Sequence, residues 1–91
     1  MNTYVEITDQ FGVDYYYATI QFAGEFLFLQ SPQGFLRKPV RKKIRLSEVE
    51  NLVMDYFWGA KRITFSFDNE EYTFFESGTG VVNYLETNLS L

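Results

Sequence analysis

Apolar and polar residues alternate with a period of two along most of the chain, a pattern typical of β-strands that bury one face. In the first such segment, Thr3, Val5 and Ile7 share one face, while Tyr4 and Glu6 share the other. Similar segments, separated by turn-forming Gly, Pro, Asn and Asp residues, predict further strands. These segments are residues 15–22, 25–30, 40–46, 61–67 and 72–75.

The same alternation predicts which side chains form the core. Residues 25–30 are apolar on both faces, as expected for a central strand or one covered by a helix. In two other strands the inward side chains are expected to be Tyr16, Ala18, Ile20 and Phe22, and Ile63, Phe65 and Phe67. The strand at 40–46 divides into one face with Val40, Lys42, Ile44 and Leu46 and another with Arg41, Lys43 and Arg45.

Residues 46–57 permit two interpretations. Ser47 and Glu50 have the spacing of a capping box, which favours a helix. The side chains that would share one face of this helix are Leu46, Val49, Val53 and Tyr56. The alternative is a tight turn at 47–49 followed by a strand, with Leu52, Met54 and Tyr56 on one side. We favour the strand because a helix would leave the neighbouring short strands with fewer partners.

The chain ends in a predicted amphipathic helix that begins after Gly80. Its apolar stripe is expected to pack against the sheet and consists of Val81, Val82, Leu85 and Leu89. The 91 residues are therefore predicted to form one domain of mainly β (α+β) class. The expected fold is an antiparallel β-barrel or bent sheet of about seven strands, capped by one C-terminal helix.

The composition excludes most familiar catalytic and metal-binding chemistry. The chain has no Cys and no His, so it lacks thiolate nucleophiles, zinc-ribbon ligands and the usual base for neutral pH. Its serine residues occur without the sequence context of an activated nucleophile. We therefore expect a protein that is not an enzyme and that has neither a cofactor nor a metal site.

Two short motifs have ordinary structural explanations. The sequence Gly78-Thr79-Gly80 before a helix is compatible with a phosphate-binding loop, but it lacks the remainder of either common motif, and we interpret it as helix initiation. Residues 68–71, Asp-Asn-Glu-Glu, together with Glu76 provide oxygen atoms of the kind that bind Ca²⁺ or Mg²⁺. They do not have the spacing of a calcium-binding loop, so we interpret 68–71 as a polar hairpin loop.

The charge is unevenly distributed along the chain. The formal net charge is −4, yet residues 37–45 contain no acid and most of the eight basic residues. These are Arg37, Lys38, Arg41, Lys42, Lys43 and Arg45. The segment suits an acidic protein partner, an anionic membrane into which Phe35 and Leu36 insert, or a nucleic acid that stacks on Phe35 or Trp58. The simplest alternative is that Arg41, Lys43 and Arg45 form cross-strand pairs with acids of the same chain and protect a sheet edge from aggregation.

Aromatic residues make up 20% of the chain, more than the predicted core can bury. Those that are hardest to place inside are Phe11, Tyr15, Tyr17, Tyr56, Phe57 and Trp58. Because Tyr and Trp are enriched at protein interfaces, we expect a contact surface for a partner or for a second copy of the chain. The predicted binding residues are thus the six basic residues above together with Phe35, Tyr56, Phe57 and Trp58.

The N-terminal residues lack the basic and then apolar pattern of a signal peptide. The longest aliphatic-rich apolar run, residues 26–29, is too short to span a bilayer. These two observations predict a cytoplasmic protein.

Seven short antiparallel strands followed by one amphipathic helix resemble a pleckstrin-homology-like (PH-like) domain, and in particular the small bacterial PH-like and GRAM-like domains. Residues 43–52, Lys-Ile-Arg-Leu-Ser-Glu-Val-Glu-Asn-Leu, look like the segment of those domains in which a basic strand and Leu-Ser-x-Ile/Val lead into the next strand. The hairpin formed by 62–67 and 71–75, and the helix at 80–89, follow in the expected order.

This resemblance implies a binding module rather than a catalyst. In the family members that bind phosphoinositides, the headgroup site lies on a basic loop between the first two strands. The corresponding residues here, 9–14, include Asp9 and Asp14 and no base, so the resemblance assigns no lipid-binding residue. The expected function is association with another protein. Peripheral binding to an anionic membrane is the alternative, and a role in binding nucleic acid or mimicking its charge ranks third.

Overall fold

A computed structural model describes residues 1–32 and 38–89 of the chain. Within these ranges it contains seven strands, a short 3₁₀ helix at Leu46–Glu48 and one α-helix. The strands are β1 (Asn2–Asp9), β2 (Gly12–Ala23), β3 (Phe26–Gln30), β4 (Arg41–Arg45), β5 (Glu50–Phe57), β6 (Ala60–Phe67) and β7 (Glu70–Phe75). The α-helix, α1, is Val81–Leu89.

The strands form one antiparallel sheet in the order β4-β3-β2-β1-β7-β6-β5. The sheet curls into a half-barrel, and among the described residues its two edges, β4 and β5, are not paired with each other. The predicted mainly β fold with a C-terminal helix is therefore confirmed, as a strongly bent open sheet rather than a closed barrel.

The core lies on the concave inner face of this half-barrel and follows the predicted alternation. Val5 and Ile7 of β1 are buried, and so are Ile63 and Phe65 of β6, while Phe67 packs at the margin. Tyr16 and Phe22 also pack at the margin of the core, around the buried Ala18 and Ile20. The remaining buried apolar side chains of the sheet are Leu27, Leu29, Ile44, Tyr72 and Phe74, with Val40 just before β4.

Helix α1 buries the stripe that the sequence predicted. Its side chains Val81, Val82 and Leu85 are fully buried. The ring of Tyr84 meets that of Phe22 edge-on, with 5.3 Å between the ring centroids. The helix therefore closes one side of the concave face, where a half-barrel alone would leave apolar side chains in water.

The loop before α1 is organised by the carboxylate of Glu76. Its oxygens accept hydrogen bonds from the backbone N–H groups of Gly78 (2.7 Å), Gly80 (2.9 Å) and Val82 (3.2 Å). These are the groups that a bound phosphate would contact, and they are already occupied by the chain's own carboxylate. The interpretation of residues 78–80 as helix initiation is confirmed.

We expect the substitution Glu76→Gln to lower the free energy of unfolding at neutral pH by about 1 kcal/mol, as the loss of a charged helix cap does. Hydrogen bonds from the backbone of Gly80, and then of Val82 and Gly78, hold the pKa of Glu76 below its ordinary value of 4.5. As the pH falls, the unfolded chain therefore takes up this proton at a higher pH than the folded chain does. The contribution of the Glu76 carboxylate to the free energy of unfolding is then lost as the pH falls below about 4.5.

Urea unfolding between pH 3 and pH 7 measures this effect. The matched control is Glu50→Gln, which changes an exposed carboxylate outside the helix cap. Equal pH profiles for the two variants would contradict the role assigned to Glu76.

Residues 46–57 form the turn and strand that we favoured, and the helical interpretation is wrong. The 3₁₀ helix at Leu46–Glu48 has no side-chain cap, so Ser47 does not start a longer helix. Strand β5 then pairs with β6, with a β-bulge between Glu50 and Val53, where Asn51 has a φ of 55°. The backbone groups of β5 form hydrogen bonds with β6, and the capping-box pattern carries no information about this pairing.

The loop predicted at 68–71 is shorter than expected. Only Asp68 and Asn69 form the turn, both with positive φ, as in the two-residue turns that suit the twist of a hairpin. Glu70 belongs to β7, and its carboxylate lies 2.9 Å from the ammonium group of Lys42. The described residues contain no group of three or more potential ligands that would hold a metal ion.

Candidate functional site

Aromatic side chains form a continuous band on the convex outer face of the sheet. The ring centroids of Tyr4 and Tyr17, on neighbouring strands, are 4.8 Å apart. Arg62 lies between Asp55 on one side and Phe75 on the other. Strands β1 and β7, which carry Tyr4 and Phe75, are neighbours in the sheet.

We call this band, with its neighbours, the outer aromatic surface. Its members are Tyr4, Tyr15, Tyr17, Phe57, Trp58, Arg62 and Phe75. Trp58 is 92% exposed, and Tyr15 and Tyr4 are 69% and 58% exposed. So many exposed aromatic side chains on one face are unusual for a small domain that has no partner.

The centre of this surface is the guanidinium group of Arg62. Its Nε donates to Oδ1 of Asp55 at 2.8 Å, and its Nη2 donates to Oδ2 at 2.7 Å. The same group lies 5.0 Å from the ring centre of Phe57 and 6.0 Å from that of Phe75. Hydrogen bonding to Arg62 lowers the pKa of Asp55. Arg62 is therefore held in one orientation by two hydrogen bonds and two rings.

The predicted aromatic set divides between the two faces of the sheet. Phe57 lies on the outer face, where its ring contacts Trp58 edge-on at 6.0 Å. Tyr56, one residue earlier in the strand, lies on the other face opposite Lys61 and is 72% exposed. Phe57 and Trp58 thus belong to one surface, and Tyr56 does not.

The basic segment is less available than its sequence suggested. Phe35 and Arg37 lie outside the described residues. Lys38 forms an ion pair with Asp14 at 3.1 Å, an interaction that raises the pKa of Lys38. Lys42 faces inward, as the alternation predicted, and pairs with Glu70.

The other three cations of the basic segment lie on the outer face. Arg45 contacts Glu48 at 3.1 Å and Glu25 at 3.6 Å. The ammonium group of Lys43 lies 4.2 Å from the ring centre of Phe26. Arg41 is exposed and forms no ion pair with any residue in the described ranges. The predicted alternative, that Arg41, Lys43 and Arg45 pair with acids of the same chain, therefore holds for Arg45 but not for Arg41 or Lys43 within the described ranges, whereas Lys38 and Lys42 form ion pairs that this alternative did not include.

A second surface feature is an open depression of about 1030 Å³ where the turn at 68–69 approaches the 3₁₀ helix. Its lining includes six carboxylate side chains: Asp9, Glu48, Glu50, Asp68, Glu70 and Glu71. Glu70 already accepts hydrogen bonds from Lys42 and Tyr72. The depression is thus acidic and open to water, with none of the buried polar groups that define a catalytic site.

The sequence pattern alone did not identify Tyr4, Arg62 and Phe75 as members of a surface. Each lies at an outward position of a predicted strand, and this position indicates a surface residue but not which residues are its neighbours. Their proximity depends on which strands are neighbours, and β1 lies beside β7, far away in the sequence.

Comparisons of the chain with protein-family models, curated proteins and solved structures found no match. Within the described ranges, no helix has the length and apolar character needed to cross a membrane.

Proposed function

We propose that this protein is a cytoplasmic, non-catalytic module that binds another protein through the outer aromatic surface. The observation that carries the proposal is the cluster of the exposed Phe57 and Trp58 with the half-buried Phe75 around the fixed guanidinium group of Arg62. A relationship to PH-like domains, proposed from the strands and the C-terminal helix, agrees with a binding role.

The residue types in this cluster are those that contribute most to protein–protein binding. Trp, Tyr and Arg dominate interface hot spots because they bury a large area and also form polar contacts. The rings of Phe57 and Phe75 are 6.1 Å apart, and both contact Arg62. A side chain that is already ordered loses less conformational entropy on binding, which favours affinity.

The basic segment has a smaller role in this proposal than the sequence suggested. Glu25 and Glu48 lie beside Arg45, and Asp14 pairs with Lys38, so local acids offset much of the positive charge. Arg41 and Lys43 remain available to steer an acidic partner, which affects the association rate more than the affinity.

The proposal is tested by affinity capture from a native lysate of the source organism. The bait is the full chain, compared with the double variant Phe57→Ala, Trp58→Ala. The control is Phe11→Ala, which removes an aromatic side chain of similar exposure, 87%, at the β1–β2 turn. We expect a protein that wild type and the control retain and the double variant loses, with a reduction in affinity of tenfold or more once it is purified.

Two results would contradict this function. One is an identical set of captured proteins for all three baits. The other is sedimentation of the wild type with anionic vesicles at physiological salt that is lost in the triple variant Arg41→Gln, Lys43→Gln, Arg45→Gln. That second result would support the membrane alternative, because each basic residue near such a surface contributes about 1 kcal/mol.

A further inference from the structure

Strand β5 is an edge strand whose regular part, Val53 to Phe57, lacks the usual protection against pairing. Natural edge strands are commonly shielded by charged side chains, especially Lys, by Pro, or by a β-bulge, and the bulge of β5 lies before Val53. The opposite edge, β4, has this protection, because four of its five residues are basic. Strand β5 contains neither Lys nor Pro. Its only acids are Glu50, at its start, and Asp55, whose charge is already matched by Arg62.

The hairpin register shows which backbone groups of β5 point away from the sheet. Phe57 and Ala60 flank a two-residue turn at Trp58 and Gly59, which have positive φ values of 54° and 81°. The pair that flanks such a turn exchanges backbone hydrogen bonds, and the pattern then alternates along the strand. The N–H and C=O groups of Met54 and Tyr56 therefore point outward from the edge.

The side chains beside these outward groups are apolar and exposed. Met54 and Tyr56 occupy the face of β5 that bears the core, yet they are 38% and 72% exposed. The bulge lies between Glu50 and Val53, before this stretch, and the register is regular from Val53 onward. The edge thus offers backbone hydrogen-bonding groups and an apolar stripe together, a combination that favours addition of a strand.

We propose that two copies of this chain associate through β5, as antiparallel strands with the two Met54 residues directly opposite each other. This register places Met54 and its counterpart at a hydrogen-bonding pair of positions, as their outward backbone groups require. It also makes Tyr56 of each copy a diagonal neighbour of Met54 of the other, so that apolar side chains cover each other on the same face.

Charge argues for this register over the one centred on Asp55. Here Asp55 lies opposite Val53 of the second copy, so no two like charges are opposed within the regular stretch 53–57. Moving the centre to Asp55 would place the two Asp55 carboxylates opposite each other, which is unfavourable.

Symmetry also favours pairing of β5 with β5 of a second copy over pairing of β5 with β4 of a second copy. Pairing β5 with β4 would place apolar side chains opposite Arg41, Lys43 or Arg45 and would allow open-ended growth. Pairing β5 with itself closes after two copies and joins the two half-barrels into one continuous sheet. This inference goes beyond the proposed function and does not depend on it.

The first test is the oligomeric state by light scattering after size exclusion, across the micromolar concentration range. We expect wild type to reach a dimer and Met54→Lys to be monomeric, because it places two ammonium groups opposite each other. The control Val13→Lys adds the same charge at an exposed apolar residue on β2 and should still form a dimer. A monomeric wild type, or oligomers that keep growing with concentration, would overturn the proposal.

The second test determines the register and uses the absence of Cys from the chain. Opposed residues at a hydrogen-bonding pair have Cα atoms about 5.5 Å apart, within the range that a disulfide spans. Met54→Cys should therefore cross-link under mild oxidation, and Tyr56→Cys should not. Self-cross-linking of Tyr56→Cys as efficient as that of Met54→Cys would rule out this register.

The two proposals fail separately. A dimer that captures no other protein supports pairing through β5 and contradicts the proposed function. A monomer whose capture of a partner depends on Phe57 and Trp58 gives the reverse result.

Discussion

The substitution Phe65→Ala is expected to lower the free energy of unfolding by about 3–5 kcal/mol, the largest effect predicted for this protein. Phe65 is fully buried in the middle of β6. Its ring stacks on Tyr72 with 5.2 Å between centroids and lies 6.2 Å from that of Phe74. Removing it deletes the centre of a three-ring stack and leaves a cavity that the surrounding strands cannot fill.

Urea unfolding followed by fluorescence and circular dichroism measures this loss. Domains of this size have a total stability of about 5–15 kcal/mol, so the variant should be partly unfolded at 37 °C. The control Phe11→Ala removes the same ring from an exposed turn and should stay within about 0.5 kcal/mol of wild type. A loss of stability for Phe65→Ala as small as the one expected for Phe11→Ala would show that the packing around Phe65 contributes little.

Much of the fold follows from local pattern, because an antiparallel sheet with one buried face repeats every two residues. In β6 the buried Ile63 and Phe65 follow that period directly, and in α1 the buried stripe follows the helical period. Residues 46–57 are ambiguous because apolar residues there satisfy both periods. The structure resolves the ambiguity through β6, whose free edge gives Val53 to Phe57 a set of backbone partners.

The candidate site is predictable in residue type but not in arrangement. Exposure of Trp58 follows from its place in a turn, and alternation alone separates Tyr56 from Phe57. The hydrogen bonds between Arg62 and Asp55 depend on the strand register, which the two-residue turn at 58–59 determines. A turn at the same sequence with one more residue would place Arg62 opposite a different side chain.

The basic segment shows why charge along a sequence does not identify a binding surface. Lys42 and Glu70 are 28 residues apart in the chain, yet their charged groups are in contact. Lys38 and Asp14 are 24 residues apart and are also paired. A run of cations in the sequence is therefore not by itself a free basic patch. Folding directs Lys42 inward and gives Lys38 and Arg45 acidic neighbours.

The substitution Glu70→Ala is expected to cost about 1–3 kcal/mol, because it leaves a buried hydroxyl group without a partner. The Tyr72 hydroxyl donates to Oε1 of Glu70 at 2.9 Å, and the same oxygen accepts from Lys42 at 2.9 Å. Burial, followed by the hydrogen bond to Glu70, raises the pKa of Tyr72, so this hydroxyl remains a donor at neutral pH. The Lys42 contact also joins β4 to β7 across the concave face, beyond the hydrogen bonds of neighbouring strands.

Two further variants separate the components of this cluster. Glu70→Gln keeps an acceptor for the Tyr72 hydroxyl but removes the charge that pairs with Lys42, and it should lose less stability than Glu70→Ala. The control Glu71→Ala removes the adjacent carboxylate, which is exposed on the outer face, and should be close to wild type. Urea unfolding should therefore rank stability as Glu71→Ala, then Glu70→Gln, then Glu70→Ala. If Glu70→Ala is as stable as Glu71→Ala, solvent replaces the carboxylate at Tyr72, and the bridge between β4 and β7 does not stabilise the half-barrel.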